Sequence, residues 1–205
     1  MQSVERQSLE SKLEKVGNVL RLTGWIGLCA QIGFGAISLL MVVFAIAGRN
    51  FSQATMLPPG AVLGVVGTFN RGTTPGIGIG IFWAVCGILA LLVGIYFAFR
   101  QTRLARRLRH ADTMKHPTKS EVMNMLRLSA IVGLVGMLLT ILGGGATLGV
   151  LFSKAIAQTQ GVAIYDPNRA IRSIDIMVAM ANMSGITAHF VGTVASLSVF
   201  EWLHR

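Results

Sequence analysis

Residues 128–152 read LSAIVGLVGMLLTILGGGATLGVLF, and no side chain in the stretch carries a charge. An α-helix rises about 1.5 Å per residue, so this segment reaches across the roughly 30 Å hydrocarbon core of a bilayer. Three further uncharged stretches of similar length lie between Arg21 and Arg49, Arg71 and Arg100, and Asp175 and Glu201. They predict an all-α integral membrane protein, a four-transmembrane-helix bundle with spans at 22–48, 77–99, 128–152 and 176–200. Composition agrees: 53% of the 205 residues are hydrophobic, mean hydropathy is +0.64, and only 13% are charged. An ordinary soluble domain carries about 25% charged residues. Four spans leave no room for a soluble domain, so residues 1–205 read as one membrane domain.

The net charge of +10 would suggest nucleic acid in a soluble protein. Here its placement suggests topology, and no nucleic-acid partner is expected. Arg6, Lys12, Lys15 and Arg21 precede span one; Arg100, Arg103, Arg106, Arg107, Arg109, Lys115, Lys119 and Arg127 lie between spans two and three; Arg205 follows span four. The other side holds Arg49, Arg71, Lys154, Arg169 and Arg172, so the balance is thirteen against five. Positive charge stays on the cytoplasmic side, which places both termini there (stromal, in an organelle).

The flanking segments carry their own signals. Leu9, Leu13, Val16 and Leu20 recur at helical spacing among charged residues, which predicts an amphipathic helix over about 8–20. It lies at the interface, against a partner, or as a lead-in to span one. The 49–76 loop is long and apolar, broken by Pro58-Pro59-Gly60. It packs on the helices, lies at the interface, or re-enters the membrane, because lipid leaves no backbone polar group unpaired. Gly76-Ile-Gly-Ile-Gly80 opens a membrane helix and follows no strand, which excludes a dinucleotide loop. In the basic loop 100–127, Arg103, Arg106, Arg107 and Arg109 are candidates for docking anionic lipid headgroups or a partner, beyond setting topology. Thr118-Lys-Ser-Glu121 reads as a capping box for the third helix. Asp166-Pro167 reads as the start of the fourth, with Arg169, Arg172 and Asp175 on its extramembrane end.

Small and polar residues recur at helical spacing in every span: Gly24, Gly27, Gln31, Gly35 and Ser38 in the first, Gly80, Ala84, Gly87 and Gly94 in the second. The third carries Gly133, Gly136, Thr140, Gly143 and Thr147, and the fourth Asn182, Gly185, His189, Gly192, Thr193 and Ser196. Lipid gives no hydrophobic gain on helix association, so close approach at small residues holds such bundles. Gln31, Asn182 and His189 are polar at membrane depth and form the candidate binding site. His189 is either satisfied by a neighbouring hydroxyl or carbonyl, or it serves a metal or a proton. With Met180 it is a candidate ligand for a divalent metal, beside the Met177 and Met183 repeat and Cys29 and Cys86. No paired metal motif, buried carboxylate or nucleophile–base set is legible, so no enzyme and no cofactor are expected. The two cysteines sit in different spans and imply no disulfide framework.

Arg103-Leu-Ala-Arg-Arg-Leu-Arg109, Val122 to Arg127, Gly136-Met-Leu, Ala146-Thr-Leu-Gly149, Lys154-Ala155, Asn182 and His189-Phe-Val-Gly192 together resemble one family, along residues 15–203. It is the uncharacterised-domain family shared by cyanobacteria and plastids, whose plant members include an inner-envelope translocon component also called the permease in chloroplasts. The resemblance implies an integral, multi-pass protein of a photosynthetic organism. With no plant-type transit extension ahead of Met1, a cyanobacterial thylakoid or plasma membrane is expected. Two functions follow as expectations. One is an accessory or assembly subunit of a larger membrane complex, translocon-like or photosynthetic. The other is a homo-oligomeric permease for iron or another divalent metal. A lipid-binding homo-oligomer without transport ranks behind both.

Overall fold

The computed structural model describes residues 2–54, 77–108, 118–157 and 171–204. Four helices follow in order: α1 (Gln2–Ala54), α2 (Ile77–Leu108), α3 (Lys119–Ala157) and α4 (Ser173–His204). Each contains one expected span and runs on beyond it. The segments Glu14–Gly48, Ile77–Arg107, Lys119–Ala157 and Ser173–His204 are all long and apolar enough to cross a bilayer. Gly143-Gly144-Gly145 would weaken a helix in water by about 1 kcal/mol per glycine. A bilayer offers no solvent to the backbone, so the helical bonds persist.

The helices run up, down, up and down. At one end Leu20 of α1, Phe97, Leu104 and Ala105 of α2, Val122, Met125 and Leu126 of α3 and Val199 of α4 form one buried cluster. Towards the other end Ala45, Ile77, Ile81 and Val178 do the same. Each helix packs on the next, α1 closes on α4, and α2 meets α4 across the centre. The outer surface is apolar, with Phe44, Phe82, Leu89, Leu138, Phe152 and Phe190 all exposed. That inversion of the soluble pattern suits a lipid solvent.

The expected amphipathic segment is the unbroken start of α1, and Val16, Val19 and Leu20 pack onto the first cluster. Leu9 and Leu13 lie outside the described side chains, as the 55–76 loop, Arg109 and Asp166-Pro167 lie outside the described residues. At the start of α3, the Glu121 amide donates to the Thr118 hydroxyl at 3.2 Å, as the capping signature requires. The Glu121 carboxylate lies 3.8 Å from Arg100 of α2.

The described start of α4 differs from the expectation. Ile171 and Arg172 are not helical, and α4 begins at Ser173. Its cap is internal: the Arg172 amide donates to the Asp175 carboxylate at 3.1 Å, while the Arg172 carbonyl accepts the Asp175 amide at 3.0 Å. Asp175 therefore does not face water at an extramembrane end. It is buried and holds the ammonium of Lys154 from α3. A buried carboxylate exists after all, paired because an isolated buried charge is far more costly.

Removing one partner of such a pair leaves the other charge stranded. Lys154→Met or Asp175→Leu alone is expected to destabilise the detergent-solubilised protein by about 3–5 kcal/mol. The double substitution should recover most of that loss, as read by thermal unfolding of all four forms.

Candidate functional site

On α4 the buried polar residues Asp175, Asn182, His189 and Ser196 stand seven residues apart. Seven residues are nearly two turns, so all four share one face, and the series extends about 32 Å along the helix. Each has its own receiver. Asp175 pairs with Lys154 of α3. The Asn182 amide donates to the carbonyls of Val178 at 3.0 Å and Gly80 of α2 at 3.4 Å. Nε2 of His189 lies 3.1 Å from the Gly87 carbonyl, and the Ser129 and Ser196 hydroxyls meet at 3.0 Å. A carbonyl only accepts, so the His189 proton resides on Nε2.

Glycine makes room for these groups. A Cβ on Gly136 of α3 would collide with the His189 imidazole, and one on Gly143 would collide with the Asn182 carboxamide. Because α3 and α4 run antiparallel, the pairs Ser129–Ser196, Gly133–Thr193, Gly136–His189, Thr140–Gly185 and Gly143–Asn182 keep one register. The α2 glycines Gly80, Gly87 and Gly94 repeat at the same seven-residue interval. Thr147, Thr140 and Gln31 fill the notches above them. The Thr140 hydroxyl returns to its own helix at Gly136 and Met137, leaving its methyl wedged between Gly87 and Gly185.

All three candidate binding residues belong to this seam. Asn182 and His189 are fully buried, and Gln31 reaches from α1 into the gap between Gly94 and Gly192. Four buried polar atoms, the acceptors Gln31 Oε1, Asn182 Oδ1 and His189 Nδ1 and the hydroxyl Thr193 Oγ1, have no hydrogen-bond partner among the described residues. Met180 is a correction. Nine residues from His189, it emerges half a turn away on the outer face, 50% exposed, and cannot share an ion with it. Met183 is also exposed, as is Cys29. Among the described residues no group of three His, Cys, Asp or Glu side chains is placed to hold a metal.

The sequence reading missed Lys154 and Asp175, which it treated as boundary charges. The signal was present: Asp175 lies one seven-residue step before Asn182. At the other end Arg103, Arg106 and Arg107 are exposed on the extension of α2. Arg103 and Arg107 line a groove of about 380 Å³ with Tyr96, Phe99, Arg100, Leu104 and Glu121. Arg106 lies outside it.

A bundle with an apolar exterior, four membrane-length helices and its polar groups gathered on one internal seam is a polytopic α-helical membrane protein. The chain belongs to the family described as proteins of unknown function, DUF3611, whose model matches residues 10–204. The resemblance read from its arginine, glycine and histidine signatures holds. It is also similar to Protein TIC 21, chloroplastic, of Arabidopsis thaliana, with 28% identity over 201 residues. That match takes in 93% of this chain and 58% of the relative, so the chain spans little more than half of the relative's length. No solved structure matches.

The seam makes a packing prediction. Gly136→Ala should destabilise the protein by about 1–3 kcal/mol, the usual range for an overpacked contact. In a His189→Ala background the same substitution should cost almost nothing, because the imidazole that the new Cβ would meet is gone. A thermal-unfolding double-mutant cycle measures the coupling, and simple additivity would refute the contact.

Proposed function

We propose that the protein is a non-enzymatic accessory or assembly subunit of a larger membrane complex, translocon-like or photosynthetic. The observation that carries this reading is the use of the interior. Lys154 and Asp175, Asn182 on Gly80, His189 on Gly87 and Ser129 with Ser196 all tie helix to helix. Among the described residues the surfaces left for partners are outside: the apolar flanks and the arginine-bearing end of α2. The excess of Lys and Arg at that end favours a cytoplasmic or stromal location for both termini. The similarity to a relative named as a chloroplast TIC protein supports a photosynthetic membrane; a cyanobacterial thylakoid or plasma membrane is the proposed site. The proposed partners are other membrane proteins and anionic lipid headgroups.

A second reading has its own support. The four polar atoms on the seam without a partner among the described residues are oxygen and nitrogen groups of the kind that bind iron or another divalent metal. A permease built on them would need several copies of the chain, because each bundle interior is filled by its own side chains. At one end of the seam the Lys154 ammonium and the Asp175 carboxylate already satisfy each other, so that carboxylate is not available to a passing cation.

Extraction in mild detergent, followed by the native mass and composition of what contains the protein, separates the two. The subunit reading expects co-migration with a defined complex, and Arg106→Glu is expected to release the chain from it. A homo-oligomer whose liposomes take up ferrous iron, with uptake lost in Asn182→Ala and His189→Ala, would overturn it.

A further inference from the structure

The groove at the end of α2 divides the exposed arginines: Arg103 and Arg107 line it, and Arg106 does not. Along α2, the exposed residues Phe82, Leu89, Leu92 and Val93 give way to the exposed aromatics Tyr96 and Phe99, and then to Arg100, Arg103 and Arg107. Apolar, aromatic and cationic layers in that order follow the passage from hydrocarbon through the interface to the headgroup level. Tyr96, Arg100, Arg103 and Arg107 recur at spacings of three and four, so they form one stripe. Buried Leu104 floors the groove, and the first turn of α3 closes it through Glu121. Three guanidinium groups thus face one carboxylate. That carboxylate neutralises little, since its distance of 3.8 Å from Arg100 makes an open ion pair between half-exposed side chains. The amide end of the α3 helix beside it also favours an anion.

We propose that this groove binds one anionic phospholipid, its phosphate held by Arg100, Arg103 and Arg107 and its first acyl carbons lying against Tyr96 and Phe99. Guanidinium forks match phosphate oxygens. The apolar stripe that leads into the groove is the feature a lipid satisfies and a free anion does not. At about 380 Å³ the groove has the size of a small-molecule site. The site deepens the lipid contact of the proposed function. It does not depend on the complex, so a test on the isolated full chain can fail without touching the subunit reading.

The test is native mass spectrometry of the purified chain in detergent, titrated with phosphatidylglycerol, phosphatidylcholine or inorganic phosphate. One phosphatidylglycerol per chain is expected, with phosphatidylcholine held more weakly and inorganic phosphate unable to displace it. Arg103→Ala and Arg107→Ala should each weaken retention about fivefold, the usual contribution of one basic residue beside an anionic lipid. Arg106→Ala removes the same charge from the same turn outside the groove and should change nothing. Glu121→Gln should strengthen binding, a gain that a damaged fold would not produce. Equal losses from Arg106→Ala and Arg103→Ala would overturn the site in favour of a diffuse basic surface. Displacement by inorganic phosphate, or equal retention of phosphatidylcholine, would overturn the anionic lipid as its occupant.

Discussion

The bundle depends on one constraint: α4 carries Asp175, Asn182, His189 and Ser196 on a single face, and none of them can be left facing hydrocarbon. Burying that face requires partners in register at seven-residue steps on two neighbouring helices. The α2 glycines supply backbone carbonyls that a side chain at those positions would shield. On α3, glycines supply the space. A slip by one residue would put His189 against a Cβ and move Asn182 off its carbonyl, so polar pairing sets register where apolar packing alone would tolerate several. Gly80, Gly87, Gly136 and Gly143 are therefore the complement of the polar series.

The two ends of the bundle treat charge in opposite ways. At one end Lys154 and Asp175 are buried together, and Asp175 also caps its own helix. That arrangement locks α3 to α4. At the other end Arg100, Arg103, Arg106 and Arg107 remain exposed, with Glu121 as a loosely held counter-ion. The basic residues cluster where contact with lipid or protein is available.

Within the seam, burial and bonding divide the polar atoms into two sets. Donors such as the Asn182 amide and His189 Nε2 reach carbonyls, while acceptors such as Asn182 Oδ1 and His189 Nδ1 stay unmatched among the described residues. Helix backbones explain the asymmetry. Their carbonyls carry a second lone pair and accept an extra bond, but their amides are already committed inside the helix. Side-chain acceptors in a helical bundle therefore lack donors unless another side chain provides one, as in the Ser129–Ser196 pair, where either hydroxyl can donate to the other.

Much of this was legible in the linear chain. Uncharged runs between charges specify four spans, because the thickness of hydrocarbon and the rise of a helix leave no other reading for residues 128–152. The small and polar faces were also readable, since helical spacing alone puts Asn182, Gly185, His189 and Gly192 together. Spacing along one helix says nothing of what stands across from it. Only the tertiary structure placed Gly87 under His189, sent Met180 to the lipid face and closed Lys154 onto Asp175, two charges that mark the edges of spans when read in sequence. It also separated Arg106 from the groove of Arg103 and Arg107, a distinction that composition cannot carry. Burial of a charge is a property of its opposite number, and the opposite number here comes from another helix.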